Sequence, residues 1–142
     1  MAQSFSANHF HIVFSTKERK PIITDPPRMW RYLGGIAKRI DCIPMAIGGI
    51  SDHVHLLVSV PPDLAVAKAV GSLKANSSKW MGRGFAWQRG YASFSVSASN
   101  LVAVTKYIET QAEHHKKISF QQEYLLLLRK HGIKFDPRFV FD

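Results

Sequence analysis

The chain has 142 residues, 46% of them hydrophobic and 20% charged, with a single cysteine, Cys42. That is the size of one compact domain with a real core. It excludes a disordered chain, an internal disulfide and a cysteine-rich zinc site, and no apolar run approaches the roughly 20 residues of a membrane span. Nineteen Lys and Arg against ten Asp and Glu leave a net charge of +9 and a pI near 9.9; such a field attracts polyanions, nucleic acid first.

The opening Met1 to Ala7 lacks the basic-then-apolar order of a secretory leader, so the cytoplasm is the expected compartment. A first strand is predicted from Asn8 to Thr16, where Phe10, Ile12 and Phe14 alternate with His9, His11, Val13 and Ser15. Thr24-Asp25-Pro26-Pro27 starts a helix with a capping side chain and proline in its first turn. Trp30, Leu33, Ala37 and Ile40 follow at helical spacing. Cys42 to Ile50 reads as a second strand, ended or bent by Gly48-Gly49. After the turn Ser51-Asp52, a third strand runs from His53 to Val60 and stops at Pro61-Pro62. Asp63 is placed to cap a helix whose buried stripe is Val66, Val70, Leu73, Ser77 and Trp80. A fourth strand is expected within Phe85 to Ser97, irregular around Gly90. Two further helices span Ser99 to Lys117 and Ser119 to His131; the second opens with the capping-box pattern Ser119-Phe120-Gln121-Gln122 and stops at Gly132.

Strand, helix, strand, strand, helix, strand is the order of the ferredoxin-like split β-α-β arrangement, an α+β fold with a four-stranded antiparallel sheet and two crossover helices on one face. Two additional C-terminal helices remain, and no linker or repeat suggests a second domain within residues 1–142. If the crossover helices cover Val54, Leu56 and Val58, then His53 and His55 project from the opposite, open face. The first and third strands are central neighbours in this fold, so His11 stands close by. Whatever the C-terminal helices cover is the expected site.

One residue apart on a strand, His53 and His55 aim the same way and can share an ion. The other reading is two half-buried histidines bonded to backbone or water. His9 and His11 form a second such pair, near the chain end, with His11 a supporting residue at most. On the penultimate helix, Tyr107 and Gln111 lie one turn apart on one face. Val104 and His114 extend that stripe, and Leu101, Thr105, Ile108, Ala112 and His115 form the adjoining, inward one. Tyr107 thus falls at the margin of the buried face, as a nucleophile or as a tyrosine that simply packs.

The four residues together suggest a mechanism. A phenol, with its pKa near 10, is a poor nucleophile at neutral pH. It can attack a phosphodiester if a cation neutralises the phosphate. Two imidazoles and an amide carbonyl suit Mg²⁺ or Mn²⁺ and leave positions open for substrate oxygens, with Mn²⁺ the more comfortable on imidazole.

Three runs carry a family resemblance: Ser51-Asp52-His53-Val54-His55-Leu56-Leu57-Val58, Trp87-Gln88-Arg89-Gly90-Tyr91, and Tyr107-Ile108-Glu109-Thr110-Gln111-Ala112-Glu113-His114-His115. With His11 to Lys17 and His131 to Phe135, they resemble the single-tyrosine, His-hydrophobic-His transposases of small bacterial insertion sequences, in that family's order across nearly the whole chain. The resemblance implies metal ligation by His53, His55 and Gln111. It implies attack by Tyr107 on single-stranded DNA through a covalent 5′-phosphotyrosine, hairpins recognised near the element ends, and a homodimer whose tyrosine helix can serve the partner subunit. Some members place glycines before that helix as a hinge; here the segment is Ser95-Val96-Ser97-Ala98-Ser99-Asn100.

Candidate DNA contacts are Lys17, Arg19, Lys20, Lys74, Lys79, Arg83 and Arg89, interleaved with Phe85, Trp87 and Tyr91 for base stacking. Three rival readings stand beside the transposase. One is a domesticated relative or replication-initiator-like tyrosine nuclease acting on chromosomal repeats. A second is a catalytically silent nucleic-acid-binding module. The third, a hydrolytic metalloenzyme, would need a carboxylate, and Asp52, the one acid beside the histidine pair, is expected to face away.

Overall fold

The computed structural model describes residues 3–142; Met1 and Ala2, part of the segment read for a leader, lie outside the described residues. Its elements are β1 (His9–Ser15), α1 (Pro26–Arg39), β2 (Ile43–Ile50), β3 (His53–Ser59), α2 (Val66–Met81), β4 (Ala92–Val96), α3 (Leu101–Glu109), α4 (Gln111–His114) and α5 (Phe120–Lys130). The sheet is antiparallel with order β2-β3-β1-β4, the expected split β-α-β topology with β1 and β3 at its centre.

Side-chain alternation sorts the two faces. Ile12 and Phe14 of β1 and Val54, Leu56 and Val58 of β3 pack with Leu33 and Ile36 of α1 and Val70 and Leu73 of α2 in the main core. Burial of each such side chain contributes about 1.5–3 kcal/mol. α1 starts where Asp25 accepts the backbone N–H of Arg28, with Pro26 as its first residue. Val13, Ala92 and Phe94 point to the other face and meet Phe120 and Leu128.

Four expectations change. β2 runs through Gly48-Gly49 to Ile50, and Gly48 is needed for a different reason. A Cβ there would collide with the Ile108 carbonyl oxygen, so glycine lets α3 lie directly on the sheet. α2 begins after Ala65 with no side-chain cap, so Asp63 does not cap it. The fourth strand is confined to Ala92–Val96, while Trp87 makes an isolated bridge to Thr16.

The fourth change concerns the tyrosine helix, which breaks at Thr110 (φ −106°, ψ 24°). The Thr110 hydroxyl bonds the Lys106 carbonyl at 2.9 Å, competing with the helical backbone pattern. The break re-aims the next turn, so that Gln111 is buried and Ala112 is exposed, against the expected inward stripe.

Candidate metal and tyrosine site

His53 and His55 project from the face away from α1 and α2, as alternation requires. That face, however, is not open. α3, α4 and α5 roof it, and both imidazoles are 0% exposed. The expectation of an open sheet surface is therefore corrected: these helices carry their own apolar residues, Ile108 and Phe120 among them, and seal the strands beneath.

Under the roof the predicted residues meet. His53 Nε2 stands 2.9 Å from Gln111 Oε1, and the Tyr107 and His55 rings lie 5.7 Å apart edge to face. His11 is buried too, its Nε2 2.7 Å from His55 Nδ1 and its ring stacked on that of His55, the supporting place expected of it. Asp52 does not face away. Its carboxylate accepts a 2.7 Å hydrogen bond from His53 Nδ1, because the residue preceding the strand lies in a turn where alternation does not apply.

Two further side chains complete the cluster. Glu123 of α5, 1% exposed, places Oε1 at 3.0 Å from His55 Nε2, 3.1 Å from His115 Nε2 and 3.5 Å from His53 Nε2. Its Oε2 accepts from the Gln111 amide nitrogen at 2.9 Å and from the Tyr107 hydroxyl. His115 Nε2 also lies 3.0 Å from Gln111 Oε1. Sequence reasoning assigned neither a site role, yet both left a signal. Tyr107, Gln111 and His115 recur every four residues, and Glu123 is buried on α5 with Phe120 and Leu128, where a carboxylate is out of place unless paired.

Electrostatics follow from the enclosure. Burial, then the neighbouring His55, lowers the His11 pKa to about 3. Burial, only partly offset by Glu123, lowers that of His55 to about 4. Both are therefore neutral near pH 7. Burial alone would raise the Glu123 carboxyl, but hydrogen bonding with His55, Tyr107 and Gln111 outweighs it and keeps the group ionised. Burial and then the Glu123 carboxylate push the Tyr107 phenol well above its usual range, so the hydroxyl keeps its proton in this arrangement.

The donor set fits a divalent cation. His53 Nδ1 donates to Asp52 and His115 Nδ1 donates to the Ile118 carbonyl, so each ring turns its Nε2, the nitrogen that tautomer leaves for a metal, to the cluster. Gln111 turns its carbonyl oxygen to the same point, its orientation set by the amide bond to Glu123. Beside this cluster a cleft of about 340 Å³ reaches Tyr107, lined also by His11, Phe94, Val104, Lys130 and His131.

The basic candidates divide. Lys17 and Arg89 are exposed. Arg19 lies over the Phe141 ring and bonds that residue's carbonyl at 3.4 Å. Lys74 donates to the carbonyls of Gln88 at 2.6 Å and Gly90 at 2.9 Å, and burial lowers its pKa. Phe85 and Trp87 are core residues, the Trp87 indole N–H donating to Ser77 Oγ at 2.9 Å, whereas Tyr91 is exposed.

Two solved structures share this fold, one described as a transposase and the other as a transposase candidate. One, a REP-associated tyrosine transposase bound to a REP hairpin, superposes with a TM-score of 0.65 at 13% identity, over 83% of this chain and 76% of that one. The other is a transposase candidate from Deinococcus radiodurans R1, with a TM-score of 0.62 at 24% identity, over 78% of this chain and 98% of that one. Sequence narrows the class. Residues 4–111 match the model of IS200-like transposases, and the chain belongs to that family. The IS200 transposases of Salmonella typhimurium and Salmonella typhi are each 29% identical over 123 residues, 75% of this chain and 78% of theirs. Tyr107 and Gln111 fall inside the matched span; His115 and Glu123 lie beyond it.

Proposed function

We propose that this transposase, acting as one nuclease domain in the cytoplasm, cuts and rejoins single-stranded DNA by transesterification, with Tyr107 as nucleophile. The observation that carries the reading is the gathering of Tyr107, whose hydroxyl bonds the Glu123 carboxylate, with His53, His55 and Gln111 around that same carboxyl group. The Tyr107 oxygen bonds to phosphorus, the bond from phosphorus to the 3′ oxygen breaks, and the proton given up by the phenol is balanced by one taken up at the 3′ hydroxyl. The 5′-phosphotyrosine keeps the bond energy for rejoining. His53, His55 and Gln111 would hold Mg²⁺ or Mn²⁺, which when bound offsets the charge of the phosphate oxygens. Asp52 orients His53 and His11 braces His55, so the rings are fixed before substrate arrives. Glu123 accepts the phenolic hydrogen bond and so fixes where the Tyr107 oxygen points.

A hairpin-bearing single strand is the substrate we infer, supported by the hairpin-bound neighbour of the same fold. A homodimer is the assembly that the family resemblance implies; in the single chain, α3 lies over its own sheet. One observation favours a second reading, the catalytically silent binder: His53 and His55 have no exposed surface. The two readings part on one assay. Purified protein with Mn²⁺ or Mg²⁺ and a single-stranded hairpin oligonucleotide from the flanks of its gene should form a denaturation-resistant adduct that vanishes in Tyr107→Phe. His53→Ala should lose cleavage yet retain DNA. An adduct that persists in Tyr107→Phe places the nucleophile elsewhere, and no adduct in the wild type leaves the binder.

A further inference from the structure

We propose that Glu123, beyond the family-matched span, is itself a ligand of the divalent ion and supplies the one negative charge among its protein ligands. The inference rests on the metal-dependent reading above and adds a residue to it. Its first support is a conflict of lone pairs. With Nδ1 donating to Asp52 and Ile118, the Nε2 of His53 and of His115, which is the acceptor nitrogen of an imidazole in that tautomer, points at Gln111 Oε1, 2.9 and 3.0 Å away. The same nitrogens lie 3.5 and 3.1 Å from Glu123 Oε1. No hydrogen of Gln111 can relieve this, because its amide nitrogen is turned to Glu123 Oε2. His55 Nε2 can donate to Glu123 Oε1 at 3.0 Å, but only the two imidazole nitrogens reach Gln111 Oε1; those acceptors repel unless a cation or a proton sits among them. His53, His115 and Glu123 each offer a ligand atom within 4.8 Å of the others, the span an ion bridges.

Charge is the second support. Imidazoles and an amide are neutral, and a divalent ion enclosed by them alone would bury its full charge, at a cost of several kcal/mol or more. One carboxylate plus one phosphodiester balance it. Glu123 is also held in place beforehand. Its other oxygen is bonded by Gln111 and Tyr107, so that nucleophile, amide ligand and anionic ligand share one carboxyl group. An oxygen ligand also suits Mg²⁺ and Mn²⁺ better than a third imidazole would.

The test is calorimetric titration of Mn²⁺ into the whole chain without DNA, for wild type, Glu123→Gln and His53→Ala, with thermal melts beside it. Glu123→Gln keeps the shape and removes the charge; its Mn²⁺ affinity should fall about tenfold or more. Unchanged or tighter binding overturns the proposal and leaves a proton as the occupant of the cluster. Wild-type protein that takes up no Mn²⁺ sinks the metal reading beneath it as well, so the two failures are distinguishable. Should Glu123→Gln fail to fold, wild-type protein labelled with ¹³C at the glutamate carboxyl gives the answer by electron–nuclear double resonance. A ¹³C coupling to bound Mn²⁺ supports ligation, and its absence refutes it.

Discussion

β3 has two sides, and they are built for opposite ends. Val54, Leu56 and Val58 face α1 and α2 in a continuous apolar core. His53 and His55, one residue out of phase on the same strand, face α3, α4 and α5 among Asp52, Gln111, His115 and Glu123. Both sides are buried, so burial does not distinguish them; what they exchange does. The apolar side gains by removing surface from water, while the polar side must satisfy each donor and acceptor it encloses. A period of two lets one strand do both, with the stable side holding the backbone on which the costly side is mounted.

Substitutions can separate the two sides. The largest effect expected is on the polar one: Tyr107→Phe should reduce adduct formation roughly a thousandfold or more, with a melting temperature near that of wild type. Leu56→Ala should show the reverse, losing about 2–5 kcal/mol in urea unfolding while the folded fraction remains active. Gly48→Ala joins the two sides. Its methyl group meets the Ile108 carbonyl, α3 must lift, and Tyr107 moves with it. Cleavage should fall by about a hundredfold, in line with the cost of small misplacements of a reacting group.

Acid should weaken the polar side first. In metal-free protein His11 and His55, lowered to about 3 and about 4, stay neutral while the unfolded chain takes up protons near pH 6.5. The unfolded state then binds more protons, so stability falls as pH drops from about 6.5 toward 4. Below about 4.3 the ionised Glu123 adds to the loss. Melting temperatures measured across this range should decline on acidification, and a flat profile would contradict the enclosure of the two imidazoles. The smallest effects belong to the surface. Lys17→Ala and Arg89→Ala should each weaken DNA binding modestly and reduce the log–log salt slope by about one. Lys74→Ala should act through stability instead, since its ammonium is already engaged by two carbonyls.

The regular elements were legible because they follow periodicity. Alternation in β1 and β3 assigned the faces, and Asp25, Pro26 and Ser119 marked the helix starts. His53, His55, Tyr107 and Gln111 were legible because each pair has a spacing that repeats its direction. What escaped depends on contacts between distant segments. The break at Thr110 comes from one hydroxyl competing for a carbonyl, and no stripe drawn on an ideal helix survives it. Asp52 was misread by extending strand alternation into a turn. A glutamate near a helix start is ordinarily solvated, and only the arrival of β3 and α4 against α5 shows that Glu123 is enclosed.

The start of α5 has a consequence of its own. Ser119 and Gln122, both out toward solvent, bond each other's backbone and fix where that helix begins. Glu123 is the very next residue. Two ordinary polar side chains at the rim therefore set the angle of the innermost carboxylate, and drift at position 119 or 122 would be felt at the heart of the molecule long before it showed on the outside.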